Sequence, residues 1–221
     1  ATIYIKFEYT KGTITEVPEY VGKQALKENK SVPILEKTES NDAYEVSIMN
    51  PGLLGIELMK TVENELKPDS ENALITFIRP EKFIKDVPFG IWGEDGYLGT
   101  LRGNTYFRVS VKPGKHIFVA KSEKYSVVEA DVEAGKEYYI QLKAKVGMFL
   151  AGVQMMPVNK VTKDIELQGW LKSSTEITFD RELVTDDVVS LMERARPILD
   201  DVLKKVEKGE IKPVKLSVEI R

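Results

Sequence analysis

The sequence predicts an α+β fold in which a central antiparallel β-sandwich is flanked by helices, the longest of them near the C-terminus. Two observations support this prediction. Between residues 72 and 158, short runs with an apolar residue at every second position alternate with turn dipeptides, as in consecutive β-strands. After Thr185, apolar residues instead recur every three or four positions, which is the spacing of an amphipathic helix.

The central region is predicted to consist of short strands separated by turns. Each turn dipeptide contains a residue that tolerates positive φ or fixes φ. These dipeptides are Asp95-Gly96, Gly103-Asn104, Pro113-Gly114 and Ala134-Gly135. The predicted strands are Ala73–Ile78, Phe89–Trp92, Tyr97–Leu101, Tyr106–Val111, His116–Ala120, Val127–Val132 and Glu137–Lys143. Strands of this number and spacing favour a sandwich, with one more strand predicted at Met155–Val158.

The N-terminal flank is predicted to add a strand and a helix. Thr2–Tyr9 alternates apolar and polar residues, as a half-buried strand does. Asn50 and Pro51 form a helix-start pattern, and the apolar residues after them predict a helix over Pro51–Leu66. Because Pro68 disfavours helix in the residue before it, a boundary is expected there. The predicted division of the chain is therefore residues 1–70, 72–158 and 160–221.

The C-terminal segment has the strongest helical pattern in the chain. Thr185 is a residue type that caps helix starts, and Gly209 is a type that follows helix ends in the left-handed conformation. Pro197 removes one amide donor inside this helix, so a kink or a break into two helices is expected. Alternating apolar residues then predict a final half-buried strand through Val214, Leu216, Val218 and Ile220.

Composition argues against several classes of protein. With 221 residues and 42% hydrophobic content, the chain is long enough to bury a core. Its 32 basic and 35 acidic residues nearly cancel, which argues against nucleic acid as a partner. The absence of cysteine excludes disulfides and sulfur-ligated zinc. No apolar run reaches the roughly 18 residues of a membrane span, and a start at Ala1 is consistent either with a removed signal segment or with methionine removal before a small residue.

The sequence offers no constellation of catalytic or metal-binding residues. His116 is the single histidine, which argues against hydrolase triads and multi-histidine metal sites. Because it follows the Pro113-Gly114 turn, its imidazole is predicted to bond to the backbone and fix the hairpin. Glu94-Asp95 is explained by the turn at Asp95-Gly96, and Asp186-Asp187 by a helix start. We therefore expect no catalytic residue, no metal and no cofactor.

Aromatic residues are the best candidates for a contact surface, because an exposed aromatic strip can stack on a sugar or dock a partner. Tyr106 and Phe107 are adjacent in a strand, so one side chain is expected in the core and the other on the surface. The predicted ligand or partner contacts are Trp92, Tyr97 and Tyr106. The predicted structural turn residues are Asp95, Gly96, Pro113, Gly114 and His116.

Four short motifs resemble those of a known family. They are Ile78-Arg79-Pro80, residues 99–107 (GTLRGNTYF), residues 112–116 (KPGKH) and residues 134–139 (AGKEYY). Over about residues 72–158 the chain resembles the bacterial envelope family called domain of unknown function 2846, and its rhythm of strands and turns is similar to that of PEGA repeats. The resemblance implies a small Ig-like or PEGA-like Greek-key sandwich without established catalytic residues.

The same resemblance implies a location in the periplasm or outer envelope, either lipid-anchored or secreted. The lipid-attachment cysteine of lipoprotein members is absent here, which would place any lipid anchor upstream of the chain. We therefore expect a non-enzymatic envelope module for binding, adhesion or scaffolding, with an envelope protein or a glycan as partner. A small-ligand or carbohydrate-binding domain is the alternative, and a carboxylate-based hydrolase is less well supported.

Overall fold

The computed structural model describes residues 41–62, 66–81, 84–122, 124–146 and 151–216. In this part of the chain the helices are α1 (Asn41–Met49), α2 (Lys160–Ser173) and α3 (Asp186–Glu207), with 3₁₀ turns at Pro51–Leu54 and Arg181–Leu183. The strands are β1 (Met59–Thr61), β2 (Ala73–Arg79), β3 (Phe89–Gly93), β4 (Gly96–Leu101), β5 (Thr105–Val111), β6 (Gly114–Lys121), β7 (Tyr125–Val132), β8 (Glu137–Val146), β9 (Ala151–Val158), β10 (Thr175–Phe179) and β11 (Val214–Leu216).

The strands form two sheets, which confirms the predicted α+β, sandwich-like fold. Within the described ranges one sheet has the order β1-β10-β5-β2-β8-β9, and the other has the order β11-β7-β6-β3-β4. The strands predicted in the central region correspond to β2 through β8, and Met155–Val158 falls within β9. The alternation of apolar residues and turn residues therefore located the strands correctly.

The sheets are mixed, whereas a purely antiparallel sandwich was expected. Strand β2 runs parallel to β8, β5 runs parallel to β10, and β7 runs parallel to β11. Parallel neighbours need long crossover connections. Strands β10 and β11 satisfy this condition because each follows a helix, α2 and α3 respectively. Periodicity within one segment does not reveal such distant partners.

Several predicted turns join strands of different sheets instead of closing hairpins. Pro113-Gly114 connects β5 to β6, Gly103-Asn104 connects β4 to β5, and Ala134-Gly135 connects β7 to β8. Positive φ is present as expected, with values of 127° at Gly114, 58° at Asn104 and 70° at Gly135. The local chemistry was therefore correct, but Pro113-Gly114 does not set the register of a hairpin.

The β3–β4 hairpin is tighter than expected. Gly93 pairs with Gly96, so the two-residue loop consists of Glu94 and Asp95, not Asp95 and Gly96. Gly96 begins β4 with a φ of 146°, a value that favours glycine. This arrangement places the Glu94 side chain at the tip of the hairpin.

Three apolar clusters stabilise the described part of the molecule, and the smallest packs Tyr139 and Val158 of the first sheet against Leu167 of α2. The inner core lies between the sheets and includes the packed rings of Phe77, Phe107 and Phe118, with centroids 5.2 Å apart in each pair formed by Phe77. The helix core lies between the second sheet and α3, and it contains Trp92 and Leu199. Burial of large apolar side chains of this kind is the main stabilising contribution in a fold of this size.

The predicted helix over Pro51–Leu66 is wrong. The helical turn ends at Leu54, because Gly55 adopts a left-handed conformation with φ of 73°. Met59–Thr61 then forms β1 and pairs with β10, so tertiary pairing overrides the local helical pattern. Helix α1 was not predicted, and residues 63–65 of the predicted helix lie outside the described residues.

The predicted C-terminal helix is confirmed as α3. Gly209 follows it with φ of 73°, as expected of a glycine after a helix end. Thr185 occupies the N-cap position, but its side chain makes no capping hydrogen bond. Of the kink or break expected at Pro197, the break does not occur, because the helix continues through this exposed residue; a kink stays a prediction.

The described residues include part of the predicted C-terminal strand and none of the predicted N-terminal strand. Val214 and Leu216 belong to β11 as predicted, whereas Val218 and Ile220 lie outside the described residues. The predicted strand Thr2–Tyr9 also lies outside them. Strands β1 and β10 of the flanks belong to the first sheet, and β11 belongs to the second. The flanks therefore contribute directly to the sandwich. The three-part division of the chain stays a prediction.

Strand β9 lies at the edge of the first sheet, and serines of the other sheet satisfy part of its backbone. Val153 N donates to Ser122 Oγ at 2.9 Å, and Met155 N donates to Ser126 Oγ at 2.8 Å. Ser122 and Ser126 are both buried. These bonds join the two sheets along this side of the sandwich.

Candidate functional site

A polar cluster lies on the outer face of the first sheet, the face directed away from the inner core. Thr76 of β2 is paired with Arg108 of β5 on one side and with Tyr139 of β8 on the other. Glu176 of β10 is paired with Tyr106 of β5. Side chains at paired positions share a face, so the register of four strands brings these residues together.

Ion pairs and hydrogen bonds connect the cluster. Arg108 Nη1 lies 3.2 Å from Glu176 Oε1 and 3.1 Å from Glu176 Oε2, and the Tyr106 hydroxyl donates to Glu176 Oε2 at 3.1 Å. On the other side, Arg108 Nε lies 3.9 Å from Glu137 Oε1, and Lys160 Nζ lies 3.6 Å from Glu137 Oε2. The guanidinium of Arg108 is therefore the centre of the network.

Tyr139 and Thr76 form the buried side of this cluster. Tyr139 is 3% exposed, and burial raises the pKa of its hydroxyl, with a further increase from the neighbouring Glu137 carboxylate. The hydroxyl therefore stays protonated. Thr76 is fully buried, and its Oγ1 has no hydrogen-bond partner in the part of the chain that the structure describes.

A groove of about 270 Å³ opens beside this cluster, where β10 lies between β1 and β5. Its ionic side chains are paired, with Lys60 Nζ 3.2 Å from Asp180 Oδ1. Leu66 is 46% exposed and forms an apolar wall. The residues that line the groove are Lys60, Thr61, Val62, Leu66, Arg108, Glu176, Ile177 and Thr178.

The three predicted contact aromatics do not form one surface. Trp92 is 1% exposed, and its indole N–H donates to Met49 O at 2.8 Å. Tyr97 packs edge-on against Trp92 and forms a 2.7 Å hydroxyl contact with Thr100 Oγ1, and burial raises the pKa of Tyr97. Both residues belong to the helix core because α3 covers this face of the second sheet. The expectation that Trp92 is a surface contact is therefore corrected, whereas a contact role of the half-buried Tyr97 stays a prediction.

Tyr106 is the predicted contact residue that does lie beside the groove. It is half-buried, while the adjacent Phe107 is 1% exposed in the inner core, which confirms that the two side chains occupy opposite faces. Its hydroxyl bonds Glu176, a residue that also lines the groove. Tyr106 therefore supports one wall of the groove.

His116 lies at the start of β6, after the Pro113-Gly114 connection. Its Nε2 contacts Lys112 O at 2.7 Å, a backbone contact of the kind the sequence predicted for this side chain. Because a carbonyl oxygen only accepts, Nε2 must carry the hydrogen. Its Nδ1 lies 3.8 Å from Glu94 Oε2 at the tip of the β3–β4 hairpin. The ring therefore links this hairpin to the chain that precedes β6.

We expect Glu94 to make the unfolding free energy depend on pH. Burial raises the pKa of Glu94 above its ordinary value of 4.5, against a lowering effect of His116. A raised carboxyl pKa contributes stability that is present below 4.5 and is lost as pH rises through the folded-state pKa. We expect the free energy of unfolding, measured by urea titration, to fall less for Glu94→Gln than for the wild type as the solution is brought from pH 4 to pH 7. Equal curves for Glu94→Gln and the wild type would contradict the expectation.

Sequence reasoning missed most of the polar cluster. Tyr106 and Arg108, and likewise Glu137 and Tyr139, are two positions apart in predicted strands, a spacing that could have placed each pair on one face. Glu176 gave no such signal, because no strand was predicted where β10 lies. The pairing of β10 with β5 is what completes the cluster.

Comparisons with known proteins give little guidance. No family model matches the chain, and no solved structure matches it. A protein of Haemophilus influenzae, described as uncharacterized, is 23% identical over 109 residues. The match covers 49% of this chain and 65% of that protein's length. The resemblance to the envelope family stays a prediction.

Two properties of the described residues concern metals and membranes. Within these ranges, no group of three or more histidine, cysteine, aspartate or glutamate side chains is arranged to hold a metal ion. The described helices include none whose length and apolar character suit a membrane crossing.

Proposed function

We propose that this protein is a non-enzymatic binding or scaffolding module of the bacterial cell envelope, and that a partner contacts it at the groove bordered by β1, β5 and β10. The observation that carries the proposal is the groove, an open concavity of about 270 Å³ with apolar and polar walls. Binding sites combine apolar surface with a few placed polar groups in this way. The family resemblance of the central region supports the location in the envelope.

The structure around the groove supports a role in binding because its polar walls are held in place. Arg108 is 7% exposed, and Glu176 is 15% exposed. Both project from strands of the first sheet and hold each other through two contacts of 3.1 and 3.2 Å. Recognition groups carried on strands are positioned better than groups carried on loops.

The alternatives have less support. A carbohydrate site needs an exposed aromatic platform, but Trp92 and Tyr97 are packed under α3. A carboxylate-based hydrolase needs an acid and a base that can act, whereas Glu137 and Glu176 both bind Arg108. Either carboxylate would have to leave the guanidinium before it took part in a reaction. A protein partner is therefore favoured over a glycan.

Site-specific photo-crosslinking tests the proposed binding face. A photoreactive residue at Thr61, which is exposed at the groove, should crosslink one discrete partner from a bacterial envelope fraction. The matched position is Lys115, an exposed residue of β6 in the other sheet, which should give no such product. Equal products at both positions, or the same product from a cytosolic fraction, would contradict the proposal.

A further inference from the structure

The charges around the groove are already compensated inside the protein. Lys60 is paired with Asp180 at 3.2 Å, and Arg108 holds Glu176 at 3.1 Å. The hydroxyl of Tyr106 also donates to Glu176. A charged ligand would have to compete with these pairs, and breaking the Arg108–Glu176 pair, whose side chains are 7% and 15% exposed, is costly. The walls therefore favour an uncharged occupant.

Apolar side chains supply the remaining surface of the groove. Leu66 is 46% exposed, one of the larger exposures of an apolar residue in the described ranges, and Val62 and Ile177 are half-buried. Removing such surface from water is favourable by about 25 cal/mol per Å². Interfaces use this arrangement, in which a central apolar pocket is surrounded by a polar rim.

The size of the groove indicates how much of a partner it holds. Its volume of about 270 Å³ is below the roughly 300–1,000 Å³ of pockets that enclose a whole small ligand. A single large side chain is a better match for this space. In protein interfaces, such anchor side chains in well-defined pockets contribute most of the binding energy.

Resting on the proposed function, we infer that the groove is the anchor pocket of a protein–protein contact and takes one large apolar side chain of the partner. The side chain packs against Leu66, Val62 and Ile177. The backbone of the partner lies over the Lys60–Asp180 and Arg108–Glu176 pairs, which form the polar rim. Specificity then comes from the shape of the pocket and not from a charge on the partner.

A random peptide library displayed on phage and selected on the full chain tests this inference. Selected peptides should share one large aromatic or aliphatic residue, and replacing it with alanine should weaken binding at least about tenfold. Titration of the synthetic peptide should shift the methyl NMR signals of Val62, Leu66 and Ile177. Selection of peptides defined by a shared charged residue would overturn the inference.

Two matched variants locate the binding site. Leu66→Ser removes an exposed apolar wall of the groove and should weaken the peptide about tenfold. Ile165→Ser makes the same kind of change at a side chain that is 91% exposed on α2, and it should leave the affinity unchanged. Equal effects of the two variants, or methyl shifts confined to other residues, would refute the anchor pocket.

The outcomes separate this inference from the proposed function. A soluble glycan that binds the chain and shifts the same methyl signals would keep the groove as a binding site but refute the apolar anchor. Failure of the peptides, of a glycan panel and of the Thr61 crosslink together would refute both proposals. Binding of peptides that depends on Leu66 supports both.

Discussion

Replacing Arg79 with methionine should lower the free energy of unfolding by about 3–5 kcal/mol. Arg79 is fully buried, and its guanidinium donates to Val87 O and, at 2.7 Å, to Ile84 O. It also lies 4.5 Å from the Phe89 ring centroid and 3.8 Å from Glu81 Oε2. Methionine retains apolar volume but leaves the carbonyls of Val87 and Ile84 without their donor and the Glu81 carboxylate without its ion-pair partner, which carries a desolvation cost. Urea denaturation followed by circular dichroism measures the loss.

Arg102 provides a matched comparison for Arg79. It also donates to the segment before β3, at Asp86 O, and it pairs with Glu57, but its side chain is 34% exposed. Arg102→Met should therefore cost no more than about 1 kcal/mol. If the two variants lose equal stability, burial of the Arg79 guanidinium is not the cause. Arg79→Lys, which keeps the charge but not the fork of donors, should be intermediate.

Replacing Gly90 with alanine should destabilise the protein by about 3 kcal/mol or more, because the added methyl group has no room. A Cβ at this position would lie 2.1 Å from Met49 O, which belongs to the backbone and cannot rotate away. The close packing of β3 against the Met49 backbone also allows Gly90 N to donate to Asn50 Oδ1 at 2.6 Å. The junction of α1 with its 3₁₀ turn would have to separate from β3. Thermal and urea denaturation measure the effect.

The same substitution elsewhere is expected to have the opposite sign. Gly169 is exposed within α2, and a Cβ there would meet nothing within 4 Å. Gly169→Ala should stabilise the protein by roughly 0.5–1 kcal/mol, since alanine favours helix over glycine. A Gly90→Ala variant as stable as the wild type would show that Met49 and β3 are not in such close contact.

The sequence allowed prediction of the strands because their signals are local. Turn residues that need positive φ, such as Asn104 and Gly135, separated the strands correctly. Local signals failed where distant parts of the chain pair. Met59–Thr61 has helical spacing in sequence but pairs with β10, and β10 itself was not predicted. Parallel pairing of segments on opposite sides of a helix leaves no pattern in either segment.

The candidate site was less predictable than the fold. Trp92 is of a residue type that is common in contact surfaces. Its burial depends on where α3 packs, and the sequence of its own strand does not encode that position. Arg79 stood out only within a family motif, and its role depends on the carbonyls of a connecting segment. Arg108 becomes the centre of a network only when β10, from the C-terminal flank, pairs with β5. Tyr106 was predicted from alternation alone and does lie at this network.

The serine hydroxyls that bind the backbone of β9 also affect how the protein behaves at high concentration. Unsatisfied amides on an outermost strand are a template for another chain, and long open edges promote aggregation. Ser122 and Ser126 occupy the amides of Val153 and Met155, so a second copy finds fewer donors along that strand. Pro157, which has no amide hydrogen, adds to this protection. This side of the molecule is therefore poorly suited to polymerisation by edge-to-edge strand pairing.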